Sequence, residues 1–240
     1  MGQGFDPISV AGVIGRRESA PCDVVDGWRH NYIFTGDGAA YDRQNNAKLV
    51  LDAELLREIS PDTKLDNYAT VLSGHQWEDL YGNDVLYLST DKVELAHEQG
   101  FVKRNGVWQP ENTVVGDVWE HLSRGKDLKD YAEMVSNASN SNKVMRLRFD
   151  RNNYASPVMR SLVLSRIVNY SNIIGYFNLD NFNGRLVGVA QEMGQRPHFC
   201  AEKKSDVSFL AAEAHVARAK KSGSQRIAQP TLEADLGGHQ

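Results

Sequence analysis

Hydrophobic and polar positions along this chain change period several times, and each change predicts an element. Ile8-Ser9-Val10-Ala11-Gly12-Val13-Ile14 is rich in β-branched side chains and predicts a first strand ending at Gly15. Trp28 to Thr35 predicts a second strand that runs into a tight turn at Gly36-Asp37-Gly38. Val50, Leu51, Leu55, Leu56 and Ile59 recur at helical spacing, so a helix is expected over 47–59, stopped by Pro61. Asp84 to Thr90 reads as a strand. Phe101 to Trp108 reads as a hairpin, because Asn105-Gly106 takes the positive φ angles of a type I′ turn at little steric cost. A short helix is expected over 126–135.

Ser136-Asn137-Ala138-Ser139-Asn140-Ser141-Asn142 carries no charge and almost no apolar side chain. Beyond it, Val144 to Phe149 alternates apolar and basic residues, a strand pattern. Ser156 and Pro157 match a helix N-cap followed by the first helical position, and Val158, Met159, Leu162, Val163, Ile167 and Tyr170 would line one face of that helix, with Gly175 ending it. A second hairpin is expected from Tyr176–Leu179 and Arg185–Ala190 around Asn183-Gly184. A last helix is expected from about 206 to 221, and then a flexible tail. The pattern is that of an α+β chain with mixed helices and antiparallel hairpins. It divides into an acidic lobe at 1–135, a Ser/Asn-rich linker at 136–142, a basic strand-helix-hairpin-helix lobe at 143–222 and a tail at 223–240.

Charge sharpens that division. Residues 1–142 hold 13 Lys+Arg against 23 Asp+Glu, while residues 143–240 hold 14 against 8. The first part is therefore −10 and the second +6, and most of the surplus, +5, lies within 143–190. Charge sorted in this way implies either an electrostatic partner or two halves that face each other. The length of 240 residues and an apolar fraction of 41% suit a folded chain with a proper core. Cys22 and Cys200 are too few for a disulfide framework and fit a reducing compartment, with a single bridge left open. Met1 to Asp6 has no basic region followed by an apolar core, so no signal peptide is expected. The most apolar stretch, 162–176, is interrupted by Arg166, Asn169 and Asn172 and is too short to span a bilayer. A location in the cytoplasm or in a viral particle, with no membrane contact, is the expectation.

Candidate chemistry concentrates in the basic segment. Arg146, Arg148, Arg151, Arg160, Arg166 and Arg185 lie among Tyr154, Tyr170, Tyr176 and two phenylalanines. Guanidinium groups with aromatic rings on an exposed sheet suit a single-stranded nucleic acid, by phosphate pairing and base stacking. The same residues equally suit aromatics in a core and arginines paired with the acidic half. A pI near 6.0 weighs against a dedicated nucleic-acid domain.

Metal motifs are incomplete. His198-Phe199-Cys200 supplies two zinc ligands where a structural site needs four. His97-Glu98 begins like a zincin helix, but Phe101 stands where the second histidine belongs. The turn at 178–184 resembles a calcium loop only superficially, because Leu179 and Ala190 occupy its carboxylate positions. Thr35-Gly36-Asp37-Gly38 lacks the Lys-Ser/Thr of a P-loop. Glu78, Asp79, Asp84 and Asp91, near His75, form the one acidic grouping that suits a magnesium site for phosphodiester hydrolysis.

With no catalytic motif complete and no cofactor implied, the leading expectation is a non-enzymatic structural or assembly protein, of the kind found in a phage or viral particle. It would associate with other proteins or with itself through segregated acidic and basic surfaces. Arg146, Arg148, Arg151, Arg160, Arg166, Arg185, Tyr154 and Tyr176 are its candidate contact residues. A nucleic-acid-binding protein using 143–190 and a magnesium-dependent hydrolase are the two alternatives.

Overall fold

Ser9 decides how the chain begins. Its hydroxyl accepts from the N–H of Gly12 at 3.1 Å and caps a helix, α1 (Val10–Ser19), where β-branched composition predicts a strand. Val10, Val13, Ile14 and Arg17 are buried at the helical spacing i, i+3, i+4, i+7, and tertiary packing on that stripe outweighs β propensity. In the computed structural model, residues 6–59 and 62–176 are described, together with the backbone of two short strands at 184–186 and 188–189. A two-residue strand, β1 (Asp6–Pro7), precedes α1, and a short helix, α2 (Val25–Arg29), follows it.

The chain then enters β2 (Tyr32–Tyr41), which passes straight through Gly36-Asp37-Gly38 instead of turning there. The ladder with its neighbour shifts register in this stretch, a β-bulge at Thr35-Gly36-Asp37. Gly38 is closely packed: a Cβ there would sit 3.0 Å from Ala53 Cβ and 3.2 Å from Leu56 Cδ1. The helix expected over 47–59 is instead a strand, β3 (Ala47–Val50), and a 3₁₀ turn at Glu54–Leu56. Its apolar residues belong to two elements on either side of a left-handed Asp52, φ 47°.

Short strands β4 (Leu65–Asp66) and β5 (Ala69–Val71) lead to α3 (Gly74–Glu78), which opens with a reciprocal capping box between Ser73 and Gln76. Strand β6 (Val85–Leu88) follows as expected, then α4 (Thr90–Ala96). The expected hairpin is present as β7 (Phe101–Arg104) and β8 (Val107–Pro110), with Asn105 and Gly106 at φ 51° and 79°. Helices α5 (Thr113–Ser123) and α6 (Lys129–Ser139) come next, the second running four residues into the region expected to be a linker.

Past α6 the strand expected at 144–149 is split into β9 (Lys143–Val144) and β10 (Leu147–Arg148) around Met145, whose φ is 57°. The helix expected from Ser156 is a strand, β11 (Val158–Leu164), buried at all seven positions. A 3₁₀ turn at Ile167–Asn169 and β12 (Ile173–Ile174) follow. Of the second expected hairpin, β13 (Gly184–Leu186) runs parallel to β2 and β14 (Gly188–Val189) pairs with β1. Residues 177–183, the helix expected at 206–221 and the tail lie outside the described residues.

The main sheet runs β10-β12-β11-β2-β3-β6, with β5 also on β11 and β13 also on β2. Its central pairing, Val158↔Tyr41 through Leu164↔Ile33, joins the acidic and basic parts of the sequence in one ladder. One hydrophobic cluster extends from Ile8 to Ile173. The β2–β11 ladder thus pairs residues from either side of the expected boundary at 136–142.

A buried arginine ties this assembly together. Arg17 Nε donates to the Trp28 carbonyl, Nη1 to Tyr131 Oη and Ser171 Oγ, and Nη2 to the carbonyls of Asn31 and Ser165, at 2.9–3.3 Å. Its side chain thereby links α1, α6 and the segment after β11. Among the described residues no cysteine is free, since Cys22 is disulfide-bonded. No described helix is long and apolar enough to cross a membrane.

Candidate functional site

The basic segment is largely neutralised within its own chain. Glu98 follows α4 in a left-handed conformation, φ 59°, and its N–H donates to the Leu147 carbonyl at 2.7 Å. That contact sets its carboxylate against two arginines. Arg148 Nε lies 3.1 Å from Oε1, close enough for an ion pair but not aligned as a hydrogen bond, and Arg146 Nη1 lies 3.8 Å from Oε2. Arg151 pairs with Glu94 at 3.1 Å, and Lys143 with Glu111 at 2.9 Å. Arg146 also stacks 5.2 Å above the Tyr170 ring, and Arg166 the same distance above Tyr32.

His97 sits within this cluster. Its Nδ1 accepts from the Phe149 N–H at 3.2 Å, which requires that nitrogen to be unprotonated. Burial first, and the Arg151 charge second, push its pKa below the ordinary histidine value.

Two expected contact residues belong to the core. Arg160 is 1% exposed and pairs with Asp150 Oδ2 at 2.7 Å, while its Nη2 donates to Tyr154 Oη at 2.8 Å and to the Asn67 carbonyl at 2.6 Å. The Tyr154 hydroxyl donates to Asp150 Oδ2. Burial raises the pKa of Tyr154 and of Tyr41, whose hydroxyl accepts from the Asp150 N–H. Arg160 and Tyr154 are thus unavailable to an external ligand. Tyr176 and Arg166 are exposed, and the Arg185 side chain lies outside the described residues. Basic side chains that look like one surface in the sequence are dispersed by the fold.

The uncompensated charge is on the other side of the ledger. A cleft of about 400 Å³ opens between the 3₁₀ turn at Glu54–Leu56, α3 and β6, with Asp52, Glu54, Glu58, Asp79 and Asp84 on its walls. Val50, Val85 and Met159 supply apolar lining. Local chemistry fixes the near wall. Asp37 Oδ1 accepts from the Asp52 N–H at 2.9 Å, and the Ala53 N–H donates to the Gly36 carbonyl at 2.7 Å. Arg124, a left-handed helix C-cap, reaches Asp52 at 2.6 Å and Asp37 at 3.9 Å.

Glu54, Glu58 and Asp79 form no ion pair with a described residue. Tyr81 stands at the rim, 79% exposed. Strand β6 borders the cleft and, among the described residues, pairs on one edge alone, with β3. The sequence points to Asp79 and Asp84, and the fold adds the three carboxylates from 52–58. Asp91 does not line this cleft, and no group of three His, Cys, Asp or Glu side chains among the described residues is placed to hold a metal ion.

No protein-family model matches the chain. No curated protein matches it either. A solved structure from work on the accommodation of massive sequence variation in Nanoarchaeota by the C-type lectin fold is similar over 73% of this chain and 83% of its own, at 15% identity and a TM-score of 0.45. A likeness at that level carries no argument about fold or function here.

Proposed function

We propose that this protein is a non-enzymatic assembly protein whose contact face is the acidic cleft, and that the cleft receives a positively charged surface of a second copy. The carrying observation is the imbalance in pairing. Arg146, Arg148 and Arg151 meet Glu98 and Glu94 of the same chain, whereas Glu54, Glu58 and Asp79 meet no described cation. Exposed cations such as Arg104, at the tip of the β7–β8 hairpin, and Arg166 suit such a wall. A heterologous contact of this type propagates into a ring or filament. Membership of a phage or viral particle is the finer form of this reading, supported by the absence of a complete catalytic motif in the sequence.

Light scattering over a salt series from about 0.02 to 0.5 M tests the proposal, because that range shortens the screening length severalfold. Higher-order species at low salt should dissociate as salt rises. A variant carrying Glu54→Gln, Glu58→Gln and Asp79→Asn should remain monomeric throughout. A parent chain that is monomeric at every salt concentration overturns the proposal.

A further inference from the structure

Lys48 is a buried cation without a carboxylate. It lies in β3 with 9% of its surface exposed, and its Nζ donates to the Trp77 carbonyl at 2.7 Å and sits 4.5 Å from the centre of the Trp77 ring. Those two contacts use one of its three N–H groups and one face of the ammonium. No described residue forms an ion pair with it. A buried charge is ordinarily paired, and here the remaining donors border a cleft of about 610 Å³. That cleft lies between the β2–β3 turn, α3 and β6.

The surroundings define what the cleft accepts. Tyr87 is directly opposite Lys48 across the β3–β6 ladder, so the two side chains share a face of the sheet. Trp77, Tyr81, Leu80 and Val85 add aromatic and apolar wall. Asp42 also lines the cleft, but its carboxylate is spent on the N–H groups of Gln44 and Asn46 and on Asn46 Nδ2, at 2.7–2.9 Å. Glu78 is exposed at the rim. With Asp42 and Glu78 nearby, a dianion or polyanion is repelled, whereas a single negative charge has a defined seat at Lys48.

We infer that this cleft is a binding site for a monoanionic carboxylate carried on an aromatic or apolar body, with Lys48 as its counter-ion. The carboxylate takes the free N–H donors of Nζ as charge-assisted hydrogen bonds, and its body stacks against Tyr87 and Tyr81. Such a group occurs on a free aromatic acid or at the C-terminus of a peptide ending in an aromatic residue. The inference does not depend on the assembly proposal, which concerns the neighbouring acidic cleft.

Calorimetric titration of the full chain tests it, with benzoate as the probe and neutral benzamide as its isostere. Benzoate should bind saturably and benzamide at least about tenfold more weakly, the loss expected for a charge-assisted contact. Lys48→Met should remove the benzoate preference. Should Lys48→Met fail to fold, Glu78→Gln provides a second variant on an exposed position, and it should tighten benzoate by weakening repulsion at the rim. N-acetyl-glycyl-phenylalanine and its C-terminal amide then separate the sources: preference for the free acid over benzoate identifies a peptide terminus, and the reverse identifies a small acid. Absence of saturable benzoate binding, equal binding of benzamide, or benzoate binding indifferent to both substitutions overturns the inference.

Discussion

The carboxylate of Asp37, inside strand β2, accepts a 2.6 Å hydrogen bond from the backbone N–H of Val10, the first residue of helix α1. A side chain of the sheet therefore caps a helix 27 residues away in sequence. Oδ1 of the same group holds the Asp52 N–H, so one buried carboxylate joins α1 to the wall of the acidic cleft. The bulge at Thr35-Gly36-Asp37 makes this placement available. Strand β2 pairs with β3 over 38–41 and with β13 over 32–34, leaving the bulge between the two partners. A negative charge at a helix N-terminus also opposes the helix dipole favourably.

Asp37→Asn should lower stability by about 1–3 kcal/mol, because the amide leaves one buried N–H without an acceptor. The pH dependence has a definite sign. Burial raises the Asp37 pKa above 3.8 despite its two backbone hydrogen bonds. The folded state then holds this proton more tightly than the unfolded state, so the contribution of Asp37 is greatest in acid and diminishes as pH rises through the raised value. Urea unfolding of parent and variant at stepped pH should show their difference widest at acid pH and narrower toward neutrality. A gap that widens with pH would contradict the direction of the shift.

His97 should act in the opposite sense. Its folded pKa lies below the ordinary 6.5, so the unfolded state binds the proton more readily. The contribution of His97 is full above about 6.5, the value for the unfolded chain, and is lost as pH falls through the lowered one. Protonation also removes the acceptor for the Phe149 N–H. Thermal melts across this window should show the decline, and His97→Gln should flatten it. Titration of the ring by NMR with a midpoint at or above 6.5 would exclude this account.

These particulars explain what the sequence could and could not disclose. The β7–β8 hairpin was legible because its determinant, Asn105-Gly106, is local. Helix α1 was obscured because Arg17, a charged residue, completes its buried stripe. Strand β11 is buried on both faces, so its apolar run has no period of two, and Ser156-Pro157 imitates a helix start. At the candidate site, the alternation of Arg146 and Arg148 was visible. Their neutralisation was not, because Glu94 and Glu98 lie about fifty positions earlier and meet them only through the α4–β10 contact. The carboxylates at 52–58 and 79–84 likewise become one wall only when the 3₁₀ turn folds beside α3 and β6.

Arg160 and Asp150 form a buried pair, 1% and 2% exposed at the side chain. Arg160→Met should destabilise the protein by about 3–5 kcal/mol, because Asp150 would keep a buried charge with its cation removed. Adding Asp150→Asn should recover part of that loss by removing the orphaned charge. Denaturant midpoints for the two single variants and the double variant give the coupling. Strict additivity would show that the two charges do not stabilise each other.

Gly100 and Gly27 make opposite predictions for the same substitution. A Cβ on Gly100 would lie 2.3 Å from the Val144 carbonyl oxygen and 3.1 Å from the backbone N and Cα of Arg146. All three are main-chain atoms of the segment running from the end of β9 toward β10, so no rotamer change relieves the contact. The position is also fixed from the other side, since Gly100 N donates to Glu111 Oε2 at 2.7 Å and its carbonyl accepts from the Glu111 N–H at 2.9 Å. Gly100→Ala should therefore cost about 1–3 kcal/mol or more as overpacking, and should weaken the seating of Arg146 on Glu98. Gly27 lies within α2, and a Cβ there meets nothing within 4 Å. Gly27→Ala should be stabilising by up to about 1 kcal/mol, through helix propensity and a less flexible unfolded chain. Urea midpoints for the two variants, measured side by side, should move in opposite directions. If Gly100→Ala is tolerated as well as Gly27→Ala, the close approach of Gly100 to the Val144–Arg146 backbone does not hold.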